Sequence, residues 1–147
     1  EQFTPVCKTN KLQECSREAI TNAYDNTILY TDHLLAQLIA RLQQQQSRYN
    51  TAMWYLSDHG ESLGENNLYL HGAPYAFAPE TQTHIPMVQW FSEGFAAQSK
   101  LDLNCLRQRA QQPASHDNLF HSVLGILDIQ TSVYQPELDL FKSCRKG

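Results

Sequence analysis

Apolar residues recur at helical spacing along the first third of the chain, where Ile20, Tyr24, Ile28, Leu35, Leu38, Ile39 and Leu42 fall on one side. The spacing predicts one long helix over residues 16–47. Ser16 is its expected N-cap, and Glu18 sits in the first turn, where a negative charge suits the helix dipole. The glutamines at 43–46 then lead into Ser47, Arg48, Tyr49 and Asn50, a solvated end. The period changes at residues 52–56, where Ala-Met-Trp-Tyr-Leu is apolar throughout. That is the pattern of a strand buried on both faces, as in a parallel sheet flanked by helices. Residues 86–91 predict a second strand, with Pro86 at its start, where a missing N–H is tolerated. Between them, residues 62–85 form a connection long enough to imply a task of its own. Two shorter helices are expected at 105–111 and 117–127. In the second, Leu119, Phe120, Val123, Leu124 and Leu127 make the expected buried stripe, and Ser115 can cap it. Strands alternating with helices, without internal repeats, indicate one domain of the α/β class.

Composition narrows the class further. With 147 residues, 41% hydrophobic and 18% charged, the chain can build one ordinary core and does not read as disordered. No apolar stretch approaches the ~18 residues of a membrane-spanning helix. A net charge of −4 without any basic run argues against a nucleic-acid binder that works through phosphate contacts. The chain opens on Glu1 rather than Met, has no signal peptide to read, and is expected to be a processed or excised piece.

The cysteines therefore supply the compartment. Cys7, Cys15, Cys105 and Cys144 are scattered, contain no CxxC pair, and fit disulfides in an oxidising environment. Three connectivities are open to four cysteines. Cys7–Cys15 with Cys105–Cys144 is favoured, because the first pair brackets a short polar loop. In the loop-entropy model these closures contribute about 2.5 and about 4 kcal/mol.

Candidate chemistry collects just past the first strand. Asp58 and His59 lie where open α/β sheets place their ligand sites, and Gly60 lets the backbone turn sharply. A carboxylate beside an imidazole suits zinc, which accepts both donor types. Glu61 adds a second carboxylate, and His71 arrives inside the long connection, giving metal ligands and proton-transfer groups on one rim. Asp-His-Gly alone is a short string, whose plainer reading is a turn-capping Asp beside an exposed His. His33, His84, His116 and His121 have no partner at ligand spacing and read as surface or half-buried residues.

A longer string is far more specific. Tyr55-Leu56-Ser57-Asp58-His59-Gly60-Glu61-Ser62-Leu63-Gly64-Glu65-Asn66, followed by Tyr69-Leu70-His71-Gly72 and Ala76-Phe77-Ala78-Pro79, closely resembles the lipid A phosphoethanolamine transferases. These include the colistin-resistance enzymes of Gram-negative bacteria, within the alkaline phosphatase and sulfatase superfamily. The likeness extends upstream through Phe3-Thr4-Pro5-Val6-Cys7 and Asn22-Ala23-Tyr24-Asp25-Asn26. Downstream it extends through Asp117-Asn118-Leu119-Phe120 and the last cysteine.

The resemblance implies an alkaline phosphatase-like α/β/α sandwich, of which residues 1–147 are the C-terminal portion. Upstream it implies membrane helices and the first half of the catalytic domain, the whole facing the periplasm from the inner membrane. The implied activity moves phosphoethanolamine from phosphatidylethanolamine to a lipid A phosphate through a phosphorylated Thr. The implied cofactor is zinc (Zn2+), held by that Thr, a Glu, and the pair corresponding to Asp58 and His59. His71 takes the place of a substrate- and phosphate-handling histidine, and Glu61 a place in the same pocket. No Thr of this chain lies in the family's nucleophile motif, so the piece alone is expected to be inactive and to self-associate through uncovered sheet edges. The family usually carries Gly where this chain has Asn67, a change that Asn tolerates at positive φ. The competing expectations are a superfamily transferase acting on core heptose or a periplasmic glucan, a sulfatase, and a noncatalytic binding or interaction piece using residues 62–85.

Overall fold

The computed structural model describes residues 1–146. These residues divide into two compact units. One holds Glu1–Gln44 with Met53–Trp90, and the other holds Gln45–Ala52 with the chain from Phe91 onward.

The first unit is built on helix α1, Arg17–Gln44. Ser16 caps it as expected, its Oγ accepting the Ala19 N–H at 3.2 Å. Two asparagines one turn apart, Asn22 and Asn26, strap the N-terminal segment to the helix. Asn22 Nδ2 donates to the Pro5 carbonyl, and Asn26 both donates to the Phe3 carbonyl and accepts the Gln2 and Phe3 N–H groups. The Cys7–Cys15 disulfide closes the same segment. The apolar face expected of α1 is only partly covered. Ala19 and Ile20 are buried, whereas Ile28 remains 49% and Leu38 45% exposed.

Strand β1, Ala52–Leu56, leads into the site and pairs with β4, Met87–Phe91. Ser57 N–H donates to the Pro86 carbonyl, and Ser92 N–H donates to the Thr51 carbonyl. The end of one strand therefore faces the start of the other, so the pair is antiparallel and not the parallel arrangement expected from the apolar run. Only Met53 of β1 is fully buried. The long connection carries a small antiparallel hairpin, β2 Ser62–Leu63 and β3 Tyr69–Leu70, and then a short helix α2, Glu80–Thr83.

The second unit contains α3, Glu93–Gln98, which the apolar pattern did not reveal, α4, Leu103–Arg109, and α5, Asp117–Ile126. Ser92 Oγ caps α3, and the Asp102 carboxylate accepts the Asn104 and Cys105 N–H groups at the start of α4. Those two bonds hold the Asp102 carboxyl below its ordinary value. Ser115 Oγ accepts the Asp117 N–H at the start of α5.

The buried face of α5 differs from the expected stripe. His121, Ser122 and Gly125 are inside, whereas Phe120, Val123 and Leu127 face out. The tail explains this, because it packs on α5 through polar groups. His121 Nδ1 accepts the Gln135 N–H, Ser122 Oγ accepts the Leu140 N–H, and Asn118 donates to the Leu138 carbonyl. Phe141 is fully buried, with its ring edge-on to Phe91, and Cys144 closes the tail onto Cys105.

Candidate metal centre

Leaving β1, the chain turns at Ser57, whose Oγ donates back to the His59 carbonyl at 2.8 Å. Gly60 follows against α2. Its N–H donates to the Gln82 carbonyl at 2.9 Å, and a methyl group on its Cα would overlap the Thr81 carbonyl oxygen. Only glycine lets the two backbones approach this closely.

The hairpin then decides what meets what. Ser62 pairs with Leu70 and Leu63 with Tyr69, so continuing the register places Glu61 opposite His71. The turn that closes the hairpin is left-handed at Gly64, Asn66 and Asn67, the last being the position where the resembled family usually has Gly. Glu65 locks the turn by accepting the Leu63 N–H at 2.7 Å and pairing with Arg17. Leu70 and Gly72, on either side of His71, are also left-handed, an unusual conformation for a leucine.

His71 Nδ1 donates to Glu61 Oε1 at 2.8 Å, and the His59 and His71 rings lie 3.8 Å apart between centroids. His59 Nδ1 donates to the Gly60 carbonyl at 3.0 Å, which leaves Nε2 as the acceptor nitrogen of the neutral ring. That nitrogen stands 3.7 Å from Asp58 Oδ2. The Asp58 carboxylate is 90% exposed, and its other oxygen accepts the His59 N–H. Burial first, and the charge of Glu61 second, raise the Tyr24 hydroxyl above its ordinary value.

These distances sort the donors. Two ligands at ~2.0–2.1 Å on a tetrahedral zinc stand roughly 3.3 Å apart. Asp58 Oδ2 and His59 Nε2, at 3.7 Å, fit a shared metal, and the His59 Nδ1–carbonyl bond is the support a metal-ligating imidazole usually has. Donor atoms of His59, Glu61 and His71 also lie within 4.8 Å of one another. The Glu61–His71 contact of 2.8 Å is that of a hydrogen bond rather than of two ligands on one ion, so we favour Asp58 with His59. Glu61 Oε2 is buried and, among the described residues, has no hydrogen-bond partner.

Asp58, His59, Glu61 and His71 are thus brought onto one rim. His33 binds Gln37, His84 lies near Glu80, and His121 is buried in the other unit. Sequence reasoning missed Gln82. Its carbonyl holds Gly60, its Nε2 donates to the buried Ser62 Oγ at 2.8 Å, and its Oε1 accepts the Ala73 N–H at 3.4 Å. One side chain of α2 therefore ties the segment bearing His59 and Glu61 to the segment bearing His71.

Among the described residues no helix is long and apolar enough to cross a membrane. Phosphoethanolamine transferase EptA of Escherichia coli K12 is 46% identical over 146 residues, which is 99% of this chain and 27% of the relative. The integral membrane protein lipooligosaccharide phosphoethanolamine transferase A (EptA) from Neisseria meningitidis superposes with a TM-score of 0.94 at 45% identity, over 99% of this chain and 27% of that one. The C-terminal periplasmic domain of EptC from Campylobacter jejuni superposes at 0.87 with 48% identity, over 99% of this chain and 45% of that one. The chain thus spans about a quarter of the curated relative, and its fold is the α/β fold of these domains. The family model described as Sulfatase matches residues 1–129, and the chain belongs to that family.

Proposed function

We propose that these residues form the Asp-His side of a zinc site in a phosphoethanolamine transferase that uses phosphatidylethanolamine as donor and a lipid A phosphate as acceptor. The observation that carries this reading is the pairing of a carboxylate and an oriented imidazole nitrogen, 3.7 Å apart, beside a second, hydrogen-bonded Glu–His pair. Bound zinc would neutralise phosphoryl charge and make a hydroxyl nucleophilic at neutral pH. The attacking hydroxyl comes from a Thr outside residues 1–147.

Within the chain, Glu61 Oε1 fixes the His71 ring so that Nε2 points away from the pair. From there a protonated His71 can donate to a phosphate oxygen or to the departing diacylglycerol oxygen. The partly exposed Glu61 carboxylate suits the ammonium group of ethanolamine, which brings donors and the opposite charge.

The test separates the two pairs in the full-length protein. Asp58→Ala and His59→Ala should each remove bound zinc and transfer from a fluorescent phosphatidylethanolamine. His71→Ala should abolish turnover and keep the zinc. Full zinc and full transfer in both Asp58 and His59 variants would defeat the ligand assignment, and an emptied site in His71→Ala would defeat the division of roles.

A further inference from the structure

Four residues beyond His71 the chain makes a tight turn. The Pro74 carbonyl accepts both the Phe77 N–H at 2.8 Å and the Ala78 N–H at 2.9 Å, and Pro79 ends the turn at the start of α2. Its base is tied down where Gln82 Oε1 accepts the Ala73 N–H. The turn is therefore preformed, yet it displays its two aromatic rings to solvent, Tyr75 87% and Phe77 80% exposed. Leu70 and Leu68 are exposed on the hairpin just before it. A bare ring costs free energy in water, and two on one rigid turn mark a surface that is covered in use.

The surrounding charge decides what covers it. Residues 72–79 contain no charged side chain, and no Lys or Arg occurs between Arg48 and Lys100, a stretch that holds Asp58, Glu61, Glu65, Glu80 and Glu93. Arg17, which reaches the hairpin, is paired there with Glu65, so the surface offers little to attract an anionic lipid or an acidic protein. A ring pair with one hydroxyl, on an uncharged turn, suits the headgroup region of a zwitterionic bilayer, where Tyr and Phe bury their rings and the hydroxyl stays wet.

We propose that the Tyr75–Phe77 turn is a membrane-contact element that inserts into a zwitterionic phospholipid surface and holds His71 at headgroup height. The role given to His71 rests on the proposed transferase function. The contact itself does not. At most roughly 14 Å of chain separates His71 from Tyr75, so a turn seated at headgroup depth keeps the histidine within reach of a phosphodiester in the same leaflet.

Flotation with vesicles of phosphatidylcholine and phosphatidylethanolamine tests this on the whole soluble domain that carries this chain. The domain should float, equally at low and high salt, and Tyr75→Ser with Phe77→Ser together should weaken partitioning at least about tenfold. Phe77→Trp should float like the parent, with emission that shifts blue and is quenched by brominated lipid; this variant guards against misfolding in the serine pair. Several results would overturn the inference: no flotation of the parent, equal flotation of the serine variant, or binding that needs anionic lipid and fades with salt. A dimer in light scattering that the serine variant dissolves, without flotation of the parent, would assign the turn to a second copy instead. Flotation without transfer in the full-length protein would count against the transferase reading alone.

Discussion

The segment around Asp58 and the C-terminal tail both rest on buried polar groups, but they spend them differently. In the tail most polar contacts close within the chain, and Arg145 Nε is the buried side-chain atom there left unpartnered among the described residues. Asp139 is almost fully buried, accepting the Tyr134 hydroxyl at 2.7 Å and the Phe141 N–H at 2.8 Å, and Arg145 donates to the Gly125 carbonyl. Around the site, the buried polar groups Ser62 and Gln82 lie beneath, and the ionisable groups Asp58, His59 and His71 sit above them, partly open to solvent. Left-handed residues accumulate there as well, at 64, 66, 67, 70 and 72. A polar network fully paired within the chain stabilises; one that stops short leaves valences for a ligand. The tail comes close to the first kind, with Arg145 Nε its exception, and the site is the second, with exposed ionisable groups beside the unpartnered Glu61 Oε2.

Two glycines break this comparison most forcefully. A methyl at Gly125 would overlap Asp139 Oδ2 and push the carboxylate away from Tyr134 and Phe141. A methyl at Gly60 would overlap the Thr81 carbonyl and break the bond to Gln82. Gly125→Ala and Gly60→Ala should each cost about 2–4 kcal/mol of stability, from overpacking and lost buried hydrogen bonds. Only Gly60→Ala moves His59 and Glu61, so only it should weaken zinc binding in the full-length protein, by ~10–100-fold. Chemical denaturation and metal analysis of the two variants give the answer. Equal zinc loss in both, with fold retained, would show that the two regions are not independent.

Gln82 gives a smaller and sharper contrast. Gln82→Met keeps the length of the side chain and removes its donor and acceptor, leaving Ala73 N–H without Oε1 and Ser62 Oγ without Nε2. The expected cost is about 1–2 kcal/mol. If the side chain positions the histidines, transfer should fall further than stability at a temperature where the protein stays folded. Gln82→Glu, which keeps acceptors for the Ala73 N–H and the Ser62 hydroxyl, should recover part of it. Turnover that merely tracks the folded fraction in both variants would reduce Gln82 to a packing residue.

These cases also mark how far the sequence reaches. The cap at Ser16, the strands beginning near Ala52 and Met87, and the adjacency of Asp58 and His59 are all written locally, in spacing and turn chemistry. The pairing of Glu61 with His71 was not read from the sequence, which showed residues 62–85 only as a long connection; the hairpin that brings them opposite spans two-residue strands, too short for an alternating pattern, around the turn residues Gly64, Asn66 and Asn67. The face of α5 was not legible. Periodicity counts apolar residues, and this helix buries His121, Ser122 and Gly125 because the tail supplies hydrogen bonds rather than grease. Gln82 was invisible for a similar reason: a lone glutamine in Glu80-Thr81-Gln82-Thr83 forms no pattern, and its importance lies in three contacts distant in sequence. The exposed side of α1 shows the converse limit, an apolar stripe that the pattern predicts correctly as helical and that these residues leave largely open.

The smallest expected effect probes the closed network of the tail through pH. Burial, then the hydrogen bond to Asp139 and its charge, push the Tyr134 hydroxyl up to about 12 from an ordinary value of 10.0. The folded chain therefore keeps this proton where the unfolded chain has released it. The associated stability is complete below pH ~10 and is lost as pH rises through about 12. Tyr134→Phe leaves Asp139 Oδ2 without its hydroxyl donor, so the variant should melt lower than the parent at neutral pH. It also has no proton to lose here, so its melting temperature should decline less steeply over this alkaline window, and the two curves should converge. Tyrosinate absorbance offers a second reading, in which the step near pH 12 of the parent is missing in the variant, while the raised step of Tyr24 is kept in both. Parallel melting curves across the window would mean that the Asp139 network does not hold the Tyr134 proton, and that the tail is closed by packing and the Cys105–Cys144 bridge alone.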